Sequence, residues 1–177
     1  MRKVFLDCGA NDGRSVEMFR KHFTDYEIYC FEANPKIKWN IDVPLIRKAV
    51  WIFDGEIKFY KGSSLASSIF KNKTTGNLSK KPIVIPCLDF SKWILNNFTK
   101  QDEIILKLDI EGAEYKVLDK MILDDSISLI SKLYIDWHYM KIGLSKEEHD
   151  RLVSRLLTNL IPLSWSTESG IFGSINV

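Results

Sequence analysis

The residues of this chain best suited to chemistry are acids that close apolar runs, with glycines set just behind them. In VFLDCGANDGRSVEMF, residues 4–19, Asp7, Gly9, Asn11 and Gly13 stand between a strand-like run and a helical pattern. Glycine there means either a sharp turn or another group's close approach to the backbone. Glu32 closes the next apolar run about 20 residues after Gly13, where a carboxylate can accept two hydrogen bonds from a ribose diol. A third stretch, ILKLDIEGAEYKVL at 105–118, ends its run in Asp109 and carries Glu111, Gly112 and Glu114 into a helix start. Carboxylates gathered in a cleft offer a general base, and with a histidine they suit a hard divalent ion.

Two common ligands are disfavoured by the same residues. Asn11 stands where a G-x-G-x-x-G fingerprint has its second glycine, so the turn that hugs a dinucleotide pyrophosphate is missing. No G-x-x-x-x-G-K-[ST] occurs, which removes the triphosphate loop. A ligand with ribose and no phosphate fits, and S-adenosylmethionine is the common one, its amino-acid end over Gly9 and Gly13 near a helix N-terminus. A tight strand-to-helix turn explains the two glycines alone equally well. Their order with Glu32 on consecutive strands favours the cofactor.

The elements that must hold these residues alternate along the chain. Strands are expected at 3–7, 27–32, around 44–52, and at 83–87, 103–109 and 132–138. Helices are expected at 14–23, 35–41, 88–98 and 113–122. Asp54-Gly55 between two β-prone runs reads as a two-residue hairpin. Ser145 and Glu148 form a capping box ahead of the apolar stripe Leu152, Val153, Leu156, Leu157 and Leu160. Pro162 should end that helix, with a closing strand pair at 162–168 and 171–176. Such alternation argues for an α/β sheet, mostly parallel and covered on both faces, with ligands at the carboxyl ends of its strands. Glu114 reads as a complement to the helix macrodipole, and His22 and His149 as solvated helix residues. The irregular stretch 61–81 has five lysines and no acid, and reads as a flexible loop or a lid that recruits an anionic acceptor.

Composition sets outer bounds. With 177 residues and 45% hydrophobic content, the chain should form one domain over 1–177. Lys+Arg 25 against Asp+Glu 23 gives a net charge of +2, too mild to argue for nucleic acid. The three cysteines are odd in number and form no C-x-x-C pair, which suits buried reduced thiols. No run reaches the ~18 apolar residues of a membrane span, and a cytoplasmic protein is expected.

The set FLDCGANDG, CFEANP, RKAV ahead of the Asp-Gly pair, IPCLDF and LKLDIEGAEYKVL resembles the FkbM-type family of S-adenosylmethionine-dependent methyltransferases, in order and spacing through residues 3–138. The resemblance implies an α/β fold, a Rossmann-like doubly wound, mostly parallel seven-stranded sheet of order 3-2-1-4-5-7-6 with helices on both faces and the last strand antiparallel. It implies methyl transfer to oxygen, on a hydroxyl of a sugar, glycan or similar small molecule. Asp7, Gly9, Asn11 and Gly13 then meet the methionine end of the cofactor, Glu32 takes the ribose with Asn34 beside it, and Lys48, Ala49 and Val50 edge the adenine, with Ser64 and Ser67 as a cap. Asp109, which also faces the cofactor's methyl group, and His138 are the candidate bases, with Glu111, Lys107 and Asp136 behind them. Asp109, Asp136 and His138 could alternatively gather a divalent metal. The fifth strand ends in IDWH, where family members more often show glutamate. The rival readings are an RNA 2′-O-methyltransferase, a nicotinamide (NAD)-dependent oxidoreductase, and a cofactor-binding partner subunit without catalysis.

Overall fold

The computed structural model describes residues 1–63, 66–158, 160 and 162–164. Its centre is a six-stranded sheet of order β3-β2-β1-β7-β8-β9, every pairing parallel. The strands are β1 (Lys3–Cys8), β2 (Glu27–Phe31), β3 (Leu45–Ile46), β7 (Glu103–Leu108), β8 (Lys132–Ile135) and β9 (Pro162–Ser164). A second sheet of order β4-β6-β5 comprises β4 (Ala49–Trp51), β5 (Gly55–Phe59) and β6 (Ile83–Asp89).

β1 and β7 lie in the middle because they are apolar on both faces. Val4, Leu6, Cys8, Ile104, Leu106 and Leu108 point into one core, shared with α2 (Phe90–Asn97), α3 (Glu114–Leu123) and α4 (Lys146–Leu156). Phe5 and Ile105 point to the other face, where Phe19 of α1 (Arg14–His22) stacks on Phe5 at 3.9 Å between ring centroids. Helices on both faces leave the strands no exposed side, which is why they read as continuous apolar runs. Helix ends follow local chemistry: Asp89 accepts from Lys92 N at 3.1 Å to start α2, and Ser145 and Glu148 make the reciprocal capping box of α4.

Four expectations change. Residues 35–41 form turns and irregular chain instead of a helix; Trp39 Nε1 donates to Val43 O at 2.6 Å, and Ile41 packs against Gly13. The strand expected around 44–52 divides into β3 and β4, which belong to different sheets. Asp54-Gly55 does reverse the chain, but β6 enters between β4 and β5, parallel to one and antiparallel to the other, so no two-residue hairpin forms. Asp54 instead accepts from Asp89 N at 3.2 Å and Lys92 Nζ at 3.1 Å. The apolar stripe outlasts α4, which ends at Leu156 with Leu157 more than half exposed. Of the closing pair, β9 runs parallel beside β8, and the strand expected at 171–176 lies outside the described residues.

The opening glycines are needed by the chain itself. Gly9 has φ +81°, and a Cβ there would lie 1.9 Å from the Asp109 carbonyl oxygen; Gly13, at φ +88°, caps α1 with Ile41 2.3 Å from its own would-be Cβ. Gly9→Ala combines left-handed strain with a backbone overlap and should cost about 2–4 kcal/mol. Urea unfolding of the variant measures it, and a loss below about 1 kcal/mol would contradict the packing described.

Candidate active site

The cleft opens where β1, β2 and β7 end, so the loops that follow them supply its walls. Asp7 is fully buried and lies opposite Lys107 in the β1–β7 register. Lys107 Nζ sits 3.0 Å from Asp7 Oδ1 and 3.7 Å from Asp109 Oδ2, and donates to Gly9 O at 2.9 Å. Ser15, on α1, donates to the second Asp7 oxygen. Burial pulls the Lys107 ammonium down, but Asp7 and Asp109 more than offset it and push it up to about 12. Lys107 is therefore a fixed cation that orients two carboxylates.

Glu32 follows β2 and is nearly buried. Its Oε2 accepts from Asn11 N at 2.9 Å and its Oε1 from Asn34 N at 2.6 Å. Burial raises this carboxyl, while the two backbone bonds favour its charge. Each oxygen keeps a second lone pair, so a rigid bidentate acceptor remains for a diol. Asn11, Asn34, Lys48, Ala49, Val50 and Ser67 line the same cleft. Asp7 and Gly13 stand behind its wall, and Ser64 lies outside the described residues.

The acidic part of the cleft is built from the loops after β7 and β8. Glu114 is fully buried and accepts from Ile110 N at 2.9 Å and Gly112 N at 2.8 Å. Its Oε1 also lies 3.0 Å from His138 Nδ1. Glu114 thus shapes the loop that carries Asp109 and Glu111 and orients the imidazole, a larger role than complementing the macrodipole. The acid spacing in DIEGAE was visible in sequence, but not its convergence on His138. His138 Nε2 lies 3.4 Å from Glu111 Oε2 and 3.3 Å from Asp136 Oδ2. Asp109, Glu111 and His138 present ligand atoms all within 4.8 Å of one another, so Glu111 joins the donor set in which Asp136 was expected. Carboxylates with an imidazole suit a divalent ion, and a second carboxylate on the imidazole's other nitrogen is a familiar support for such a ligand.

Three contributors lacked a sequence signal. Ser68 and Lys73 come from irregular chain and Lys141 from a short 3-10 helix, Met140–Ile142: Ser68 Oγ donates to Glu111 O at 2.8 Å, Lys73 Nζ lies 2.9 Å from Glu111 Oε2, and Lys141 lines the cleft. Away from the cleft lining, His149 is half-buried rather than solvated, hydrogen-bonded to Tyr115 Oη at 2.9 Å and stacked on Tyr139.

A Rossmann-like α/β protein with a buried acid fixed at the end of its second strand is the class these features define. Residues 7–159 match the family described as Methyltransferase FkbM domain, and the chain belongs to that family. It is similar to the protein named Probable methyltransferase-like protein 24 from Homo sapiens, 35% identical over 68 residues. That stretch covers 38% of this chain and 19% of the human protein. No solved structure matches the chain.

Burial lowers the His138 imidazolium, but the bond to Glu114 and the charges of Glu114, Glu111 and Asp136 outweigh it, so the net shift is upward. A raised folded value makes the stabilisation from His138 complete below its ordinary value of 6.5 and lost as pH rises through the folded one. Thermal melts in chelator should therefore fall more steeply with rising pH for the wild type than for His138→Gln. Parallel curves would contradict this.

Proposed function

We propose that the protein is an S-adenosylmethionine-dependent O-methyltransferase acting on a hydroxyl of a sugar, glycan or similar small molecule, as one catalytic domain over residues 1–177. The observation that carries the reading is Glu32, fixed at the end of β2 in the cleft of a chain that belongs to the FkbM family. S-adenosylmethionine fits the residues present: Glu32 would hold the ribose diol, Asn11 and Asn34 its flanks, and Lys48, Ala49 and Val50 the adenine edge. Gly9 would meet the amino-acid end, with Ser67 on the outer side. Bound there, the cofactor supplies an electrophilic methyl group on a sulfonium.

The chain's own residues must orient the acceptor hydroxyl and take its proton. Asp109 and Asp136 both line the cleft, at the ends of β7 and β8. Burial, with the charge of Asp109, raises the Asp136 carboxyl, which makes it a stronger base than an exposed aspartate. The carboxylates around His138 favour its protonated form over burial, and its Nε2 lies between Glu111 Oε2 and Asp136 Oδ2, where it orients both. Lys107 positions Asp109. A divalent ion on Asp109, Glu111 and His138 would be a second means of acidifying the hydroxyl.

Three carboxylates at the reacting end, Asp109, Glu111 and Asp136, favour an uncharged polyol over an RNA phosphate backbone. The family favours methyl transfer over hydride transfer or a binding-only role. Buried unpaired thiols at Cys8, Cys30 and Cys87 accord with a reducing, cytoplasmic setting, and no described helix is long and apolar enough to cross a membrane. The reading also expects a seventh, antiparallel strand at 171–176, but β9 already holds the place beside β8 that the order 3-2-1-4-5-7-6 gives to that strand.

Calorimetry with S-adenosylhomocysteine tests the cofactor. The wild type should bind it, and Glu32→Ala should weaken binding by at least about ten-fold. NAD binding in its place would overturn the reading. Asp109→Ala should keep that binding and lose methyl transfer to hydroxyl acceptors, and unchanged turnover would remove Asp109 from the mechanism.

A further inference from the structure

The strap between β5 and β6 delivers a lysine to the reacting end of the cleft. The Lys73 side chain has no exposed surface, and its Nζ lies 2.9 Å from Glu111 Oε2 while donating to Ala66 O at 3.0 Å and Thr75 O at 3.4 Å. The strap is fastened at two further points: Ser68 Oγ donates to Glu111 O at 2.8 Å, and Thr74 N donates to Lys141 O at 2.7 Å. A buried ammonium is tolerated only with partners of this kind. Glu111 itself has φ +55°, a conformation that a glutamate holds only when its surroundings impose it.

The oxygen that Lys73 takes decides what else can bind. Glu111 Oε2 is also the atom 3.4 Å from His138 Nε2, and Asp109, Glu111 and His138 each offer a ligand atom within 4.8 Å of the others. An ion chelated by Glu111 and His138 through those atoms needs the same oxygen, and it would meet a positive charge already seated there.

We propose that Lys73 is a tethered cation: it holds Glu111 Oε2 in place of a divalent ion and so fixes Glu111 beside His138. Seating of the strap and divalent-ion binding then exclude one another, and Lys73 is a positioning residue for the reacting end. The competition rests on this geometry alone. The positioning of Glu111 for methyl transfer rests on the function proposed above.

Manganese(II) is titrated into the full chain, with the free aquo ion followed by electron paramagnetic resonance. Lys73→Met should bind Mn²⁺ at least about ten-fold more tightly than the wild type, because a unit charge beside the ligands is gone. The gain should vanish in Lys73→Met/Glu111→Gln and in Lys73→Met/His138→Gln, and Lys73→Arg, which keeps the charge, should stay near the wild type. Loss of packing alone would not create such a site. Equal affinity in wild type and Lys73→Met, or a gain that survives Glu111→Gln, overturns the proposal. Lys73→Gln, with a polar end left for Ala66 O, repeats the comparison should Lys73→Met not fold. S-adenosylhomocysteine binding, followed by calorimetry on the same samples, reports separately on the cofactor reading and should not change with Lys73.

Discussion

A lysine ammonium inside a parallel sheet is the constraint around which the cleft is arranged. Asp7 and Lys107 face each other across β1 and β7, both out of water, and each is tolerable only because the other is charged. The pair does more than balance itself. Lys107 also ties down the Gly9 carbonyl and reaches toward Asp109, so one cation fixes the chain exits of the two central strands. Those exits then pack backbone against backbone, which leaves no room for a side chain at position 9. The glycine motif is thus first a requirement of the sheet and only second an opening for a ligand.

The parts of this arrangement legible in sequence are those set by local chemistry. Apolar runs ended by Asp7, Glu32 and Asp109 become strand ends at one edge, and the Ser145–Glu148 capping box starts a helix where it should. What escaped depends on contacts between distant segments. Nothing near Asp54-Gly55 says that β6 will take the slot between the two flanking strands, since a turn fixes a reversal and not the neighbour. The helical appearance of 35–41 lost to the tertiary placement of Trp39 and Ile41 beside Gly13. Glu114 and Lys73 looked like ordinary surface charges because burial is decided by the fold and not by residue type.

From Lys73 to Glu111, His138 and Glu114 runs a chain of alternating basic and acidic side chains, drawn from the strap, the loop after β7, the turn after β8 and the first turn of α3. Each member is held by the next, and the outer two are the most buried. An arrangement of this kind fixes an imidazole far more firmly than one hydrogen bond would. It also explains why the loop after β7 can be so short: Glu114 satisfies two of its backbone N–H groups that would otherwise face the interior.

The left-handed backbone at Glu111 has a consequence for anyone stabilising this protein. Asparagine or glycine suits that conformation better, but either would leave the buried Lys73 ammonium without its carboxylate. Such a variant would relax the chain and strip the centre of one acid in the same step. Backbone preference is therefore a misleading guide at this position, where relief of local strain would orphan a cation deep in the fold.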